Sequence, residues 1–337
     1  MAQQADTVPL IDISPFVDEA AHDDESRARV AERWDTAMTE VGFALITGHG
    51  VAPEVITGLR DGAMAFFAQE ASAKLAHSFG PYGTPLGGYT AMGTEAVART
   101  RDEHGSDGGT DTTKVKAAAA DLVESFMFKP ESPNAQPACL AHVGNTYHAE
   151  LLRVLGCLHH LTAAALGLPR EFFEPFFTPS ARVSLRLAYY PPIPPQDQSS
   201  SAVLRYGEHT DYTGYTLLHQ DETDLGNLNA GGLQVLLQSG EWQAVVPQTG
   251  AFVVNIGDLY EVWTNGRWRS TVHRVMSPLA GSAAAAAPRL SIPFFTGPHD
   301  DALIDAIPTC VDAEHPAQYA PVKALDHLQR KLKVSNV

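Results

Sequence analysis

The chain has 337 residues, 44% of them apolar and 18% charged, which is enough apolar material for a full core and too little charge for disorder. Lys and Arg number 23 against 39 Asp and Glu, a formal net charge of −16 that argues against a nucleic-acid backbone or an anionic membrane as partner. Cys139, Cys157 and Cys310 form no CxxC pair, no basic and apolar leader opens the chain, and no apolar run reaches the ~20 residues of a membrane span, so the expectation is a reduced, cytoplasmic globular protein without a zinc ribbon.

Val8–Ile13 reads as a short strand closed by Ser14-Pro15. From Asp24 to Val41 the apolar residues Val30, Trp34, Met38 and Val41 fall at helical spacing, with Asp23 and Asp24 suited to the helix start. Gly42–Ile46 is a buried-strand candidate, and Glu54 to Leu75 reads as one further helix with Ile56, Leu59, Met64 and Phe67 on its apolar face. The stretch from Gly80 to about Thr113 is rich in Gly, Thr and Asp and lacks periodicity, the texture of an active-site cover or a mobile loop. Val143, Tyr147, Leu151, Val154, Leu158 and Leu161 define a long helix that Gly167 and Pro169 stop.

After about Ala181 short β-prone runs follow one another between Gly, Pro, Asn and Asp: Val183–Tyr190, Tyr215–His219, Leu233–Leu237, Trp242–Val246, Ala251–Ile256, Ser270–Met276 and Leu290–Phe295. Such a series points to a sandwich or barrel. Gly257-Asp258 and Trp263–Gly266 read as turns between strands, and Ala283–Ala287 as a loop insertion. The tail returns to helix from Pro321, with Val322, Leu325, Leu328 and Leu332 at helical spacing. The expected fold class is α+β with a mainly β core: a largely helical region over residues 1–180, a β core over 181–300 and a helical segment over 301–337, together one compact unit.

Fourteen histidines invite a search for metal ligands, and His-x-Asp/Glu, part of the set that holds non-haem iron, recurs along the chain, with His22/Asp24, His148/Glu150, His209/Asp211 and His299/Asp301 among its occurrences. Chelation by residues two apart needs extended backbone. His148 and Glu150 lie in a helical pattern, where residues two apart do not share a face, and His22/Asp24 sits at a helix start, where Asp caps. His299/Asp301 lies in a polar loop with no second histidine in a neighbouring strand. His209 and Asp211 open a β-run in the strand-rich region, and His273 follows in another strand. Arg289 and Ser291, two apart in a strand, form a clamp suited to a carboxylate.

With these residues in view, the chain resembles the iron- and 2-oxoglutarate-dependent dioxygenases of the isopenicillin N synthase-like family. The resemblance runs in order through Val8–Pro15 (VPLIDISP), Gly42–Val51 (GFALITGHGV), Leu185–Pro192 (LRLAYYPP), His209–Asp221 (HTDYTGYTLLHQD), Gly231–Val235 (GGLQV), Gly250–Asp258 (GAFVVNIGD), Trp263–Val275 (WTNGRWRSTVHRV) and Arg289–Phe295 (RLSIPFF). It implies a double-stranded β-helix, or jelly-roll, flanked by N-terminal helices and a C-terminal helix. It also implies Fe(II) held by His209, Asp211 and His273, with the far carboxylate of 2-oxoglutarate on Arg289 and Ser291 and help from Tyr190. Many relatives carry Asn where this chain has Ala188. The implied reaction consumes O2, decarboxylates 2-oxoglutarate to succinate and oxidises a C–H bond of a small molecule by hydroxylation, desaturation or ring closure, with no obligate protein partner. The competing expectation is an iron oxidase like isopenicillin N synthase, which does not use 2-oxoglutarate. By the family's pattern, the substrate pocket would draw on Tyr89, Met92, Phe126, Phe128, Tyr212 and Phe295.

Overall fold

The computed structural model describes residues 8–79, 87–94, 121–132, 135–193, 204–221, 232–279 and 281–335. In chain order, β1 (Leu10–Asp12), α1 (Ser14–Val17), α2 (Asp24–Glu40), β2 (Phe43–Thr47), α3 (Pro53–Phe67), α4 (Ala71–Leu75), β3 (Gly88–Thr90), β4 (Glu124–Phe128) and the long α5 (Ala138–Ala165) come first. The strand-rich half follows as β5 (Arg182–Tyr190), β6 (Leu204–His209), β7 (Tyr215–Gln220), β8 (Gly232–Leu236), β9 (Trp242–Ala244), β10 (Phe252–Ile256), α6 (Asp258–Trp263) and β11 (His273–Met276). It ends with α7 (Ala283–Ala286), β12 (Arg289–Gly297), β13 (Leu303–Ile304), β14 (Val322–Lys323) and α8 (Ala324–Ser335).

A large sheet in the order β1-β2-β10-β7-β12-β5-β4-β3 faces a smaller one, β6-β11-β8-β9. Phe43, Leu45 and Val253 of the large sheet pack against Leu233, Val235 and Leu237 of the smaller one, closing the jelly-roll between them. The other face of the large sheet carries the helices. There Trp34, Phe66, Tyr147, Leu151 and Leu158 bury against Phe252, Val254, Leu290, Ile292 and Phe294. The N-terminal region is therefore more than a helical wrap, because β1, β2, β3 and β4 extend the large sheet at its two edges.

The helix at 24–40 begins as expected, with the Asp23 carboxylate accepting the Ser26 N–H at 2.8 Å. The helix expected over 54–75 is instead broken after Phe67, and the cause is tertiary. Lys74 of α4 donates to the Phe67 carbonyl at 3.3 Å while its ammonium pairs with buried Glu124 at 2.6 Å, so α4 turns back to close the end of α3. The segment read as a turn at Gly257-Asp258 starts α6, Ala283–Ala286 is a helical turn capped by Ser282, and the tail forms strand β14 before its helix. Of the stretch from Gly80 to about Thr113, expected to be an active-site cover or a mobile loop, residues 87–94 are described and carry β3, and the rest lies outside the described residues.

Strand alternation sorts the large sheet into two environments. In β12, Leu290, Ile292 and Phe294 join the helix-side core. Arg289, Ser291 and Phe295 alternate with them and pair with Tyr190, Ala188 and Ser184 of β5. These residues face the interior between the sheets, and the candidate site lies there.

Candidate active site

His209 ends β6 and His273 begins β11, and the two are direct partners across that antiparallel pair. Their rings lie 4.2 Å apart. Asp211 sits in the loop after β6 rather than in a strand, a correction to the reading that it opens a β-run. Its Oδ1 is 3.9 Å from His209 Nε2 and 3.7 Å from His273 Nε2. All three residues are buried, and one ligand atom from each lies within 4.8 Å of the others.

The surroundings set which atoms face the common point. His209 Nδ1 contacts the Gly207 carbonyl at 2.8 Å and His273 Nδ1 the Thr271 carbonyl at 3.1 Å. A carbonyl only accepts, so Nδ1 donates in both rings, and in the neutral ring this leaves the Nε2 lone pair free for a metal. Burial, reinforced by the adjacent His273 ring, holds His209 below the ordinary histidine range and therefore neutral. Asn255 of β10 donates to Asp211 Oδ2 at 2.6 Å, leaving Oδ1 for the histidine pair. Two imidazoles presenting Nε2 and a carboxylate, each steadied by an outer partner, fit a divalent transition metal such as iron.

The loop that carries Asp211 hangs on the start of α6. The N–H groups of Gly257, Asp258 and Leu259 donate to the carbonyls of Gly214, Asp211 and Thr213 at 2.7, 3.0 and 3.2 Å. These are donors that a helix start leaves without intrahelical partners. A Cβ on Gly257 would stand 2.7 Å from the Thr213 oxygen, so only glycine lets the two segments approach this closely. The Asp258 side chain then ties α8 to the same loop. Its carboxylate receives Lys331 at 2.9 Å and His327 at 3.2 Å. Burial alone would raise the Asp258 pKa, but the His327 hydrogen bond and the Lys331 charge outweigh it and bring it to about 2.

Deeper between the sheets, Arg289 is buried over the Tyr190 ring, 5.3 Å from its centroid, and donates to Gln220 at 3.3 Å. Its Nη1 is buried and has no hydrogen-bond partner among the described residues. Ser291 lies two residues along on the same face, opposite Ala188. A buried guanidinium with an unmet donor beside a hydroxyl fits the far carboxylate of 2-oxoglutarate.

A cavity at the mouth is lined by His209 and Asp211 together with Met127, Lys129, Tyr206, Phe295, Leu328 and Leu332, among others, and Tyr212 also borders it. Of the six expected substrate residues, Tyr212 and Phe295 stand there. Phe126 and Phe128 do not, because β4 alternates Met127 and Lys129 toward the interior and turns both phenylalanines into the helix-side core. Tyr89 is on that helix side too, its hydroxyl donating to Glu124 at 2.5 Å, and Met92 is 47% exposed away from the cavity. Sequence reasoning missed Asn255, Asp258, Lys331, Met127, Lys129, Leu328 and Leu332. The polar Asn255 at an inward position of an otherwise apolar strand was the one legible signal.

Residues 182–298 match the 2OG-Fe(II) oxygenase superfamily, and residues 8–148 match the non-haem dioxygenase in morphine synthesis N-terminal region. Validamycin A dioxygenase of Streptomyces hygroscopicus subsp. limoneus is 31% identical over 296 residues, which cover 82% of this chain and 73% of that protein. The chain belongs to the 2-oxoglutarate- and iron(II)-dependent oxygenases. Homoarginine-6-hydroxylase of Oryza sativa subsp. japonica is 30% identical, with 98% of both chains covered. The structure of Neurospora crassa T7H in complex with alpha-KG and thymine superposes with a TM-score of 0.77 at 26% identity, covering 99% of this chain and 98% of that one. This oxygenase accordingly uses Fe(II), 2-oxoglutarate and O2, and the expectation of an oxidase that works without 2-oxoglutarate gives way.

Proposed function

We propose that the enzyme oxidises a C–H bond of a small molecule, with His209, Asp211 and His273 as iron ligands and Arg289, Ser291 and Tyr190 holding 2-oxoglutarate. The observation that carries the reading is the convergence of three donor atoms, together with an arginine between the sheets whose buried Nη1 lacks a partner among the described residues. Bound iron with 2-oxoglutarate supplies the activation of O2 and the oxidising power. The protein's residues do the rest. The carbonyls of Gly207 and Thr271 hold the imidazole protons on Nδ1, and Asn255 orients the Asp211 carboxylate. Tyr212, Phe295, Met127, Leu328 and Leu332 wall the reacting end against water.

The substrate we favour has an apolar body and one anionic group. Lys129 lines the cavity, and among the described residues its ammonium meets the Val183 carbonyl at 3.4 Å and no carboxylate within ion-pair distance. The nearby Arg182 is neutralised by a two-point pair with Asp300. Validamycin A dioxygenase, homoarginine-6-hydroxylase and the thymine-bound T7H carry small molecules in their names and titles, which supports a small-molecule substrate here. We include in the proposal a cytoplasmic location, action without an obligate partner, and the three sequence regions working as one unit. The test is succinate release from 2-oxoglutarate under Fe(II) and O2, run against a panel of small apolar acids. Release in the wild type and none in His273→Ala supports the reading, and no release with any substrate or in its absence refutes it. Lys129→Met is expected to raise KM for the acid and leave kcat within about twofold.

A further inference from the structure

Arg205 of β6 is 2% exposed, yet no acidic side chain stands within ion-pair distance of it among the described residues. Its Nη2 donates to the Pro191 carbonyl at 3.2 Å, and its Cζ lies 5.7 Å from the centroid of the Tyr190 ring. The same ring carries Arg289 at 5.3 Å. Two guanidiniums from opposite sheets therefore flank one phenol. Burial first, then the charge of Arg289, pulls the Arg205 pKa down to about 10. A buried arginine is ordinarily paired, because desolvating a charge costs several kcal/mol unless an opposite charge answers it. Asp221, buried near Arg289, bears on that residue's charge, and its Oδ1 lies 3.4 Å from Arg60. Among the described residues no acid pairs with Arg205. Tyr190 thus has the buried Arg205 and the part-buried Arg289 close to its ring, and the buried Asp121 and Asp221 bear on Tyr190 and Arg289 without standing within ion-pair distance of Arg205.

We propose that Arg205 is a second guanidinium for the far carboxylate of 2-oxoglutarate, gripping it together with Arg289 so that the cosubstrate is held from both sheets. This rests on the reading of Arg289 as the cosubstrate anchor. It adds a residue from the sheet that carries His209, so cosubstrate binding draws the two sheets of the jelly-roll together at the depth of Tyr190. It also assigns Arg205 a task in selectivity. A 2-oxo acid of the same length without the second carboxylate leaves both guanidiniums unanswered, and a site with unmet buried donors rejects such an analogue strongly.

The test measures binding rather than turnover. Calorimetry on the Mn(II)-loaded full-length protein without O2 compares 2-oxoglutarate with 2-oxopentanoate, which has a methyl group in place of the far carboxylate. In Arg205→Met the Kd for 2-oxoglutarate is expected to rise about 10–100-fold, the loss of one charged hydrogen-bonding group. The Kd for 2-oxopentanoate should stay within about twofold. Arg205→Lys, which keeps the charge without the fork, is expected to recover part of the loss. Arg205→Gln, polar and still able to donate but uncharged, serves the same comparison if Arg205→Met does not fold. An equal loss for both acids, the signature of a residue that only props up Tyr190, overturns the proposal, as does no loss for either. A wild type that does not prefer 2-oxoglutarate, with Arg289→Met making no difference, refutes the cosubstrate reading itself and is told apart from failure at Arg205 alone by that second variant.

Discussion

Asn255→Ala isolates the orientation of a proposed metal ligand, Asp211, from the ligand itself. Asn255 and Asp211 are 3% and 7% exposed, and the 2.6 Å bond between them is the contact that turns Oδ2 away from the histidines. Removing the donor strands a buried carboxylate oxygen, and a hydrogen bond to a charged group contributes about 1.5–3 kcal/mol. Loss of such an outer partner lowers metal affinity about 10–100-fold, which corresponds to about 1.4–2.7 kcal/mol and agrees with the hydrogen-bond figure. Anaerobic Fe(II) titration reads this directly, and thermal unfolding reads it again. At a metal concentration a thousandfold above the wild-type Kd, metal stabilises the wild type by about 4.1 kcal/mol and a tenfold weaker variant by about 2.7 kcal/mol. Val253→Ala is the control, since Val253 is buried two residues away on the same strand, in the apolar cluster with Phe43 and Leu45. It is expected to lower Tm and leave the metal Kd unchanged. If Asn255→Ala binds Fe(II) within twofold of the wild type, or Val253→Ala weakens binding equally, the orienting role is wrong.

Other outcomes follow from the same geometry. Lys331→Met leaves Asp258 buried with one partner fewer, so stability should fall by about 3–5 kcal/mol, with α8 becoming sensitive to limited proteolysis and KM rising because Leu328 and Leu332 lose their place. Two glycines in α5 make an opposed pair. Gly144→Ala drives a Cβ to 2.5 Å from the Phe128 ring and should cost about 1–3 kcal/mol, whereas Gly156→Ala meets nothing within 4 Å and should add about 0.5–1 kcal/mol, both read by denaturant unfolding. Phe128→Ala is expected to lose about 3–5 kcal/mol of stability without altering substrate selectivity, because its ring is in the helix-side core. Phe295→Ala, at the cavity wall, should change KM with a small loss of Tm, and equal behaviour of the two variants would contradict the strand alternation that separates them.

Local chemistry wrote much of this protein where a reader of the chain can find it. The spacing of Val30, Trp34 and Met38 marks α2, and the alternation in Arg289–Phe295 places the arginine and the serine on one side of β12. His209 and Asp211 stand out because a chelating pair two residues apart requires non-helical backbone, which rejects His148 and Glu150 in α5. What the chain alone left open depended on partners distant in sequence. Alternation says that Phe126 and Met127 point to opposite sides of β4, but only pairing with β5 decides which side is the pocket. Asp258 reads as a turn residue until α8 brings Lys331 against it across 73 positions, and Arg205 reads as an ordinary strand cation until burial removes water from around it. A period in the sequence sets which residues share a face, whereas the electrostatic meaning of a charge depends on what the folded chain packs beside it.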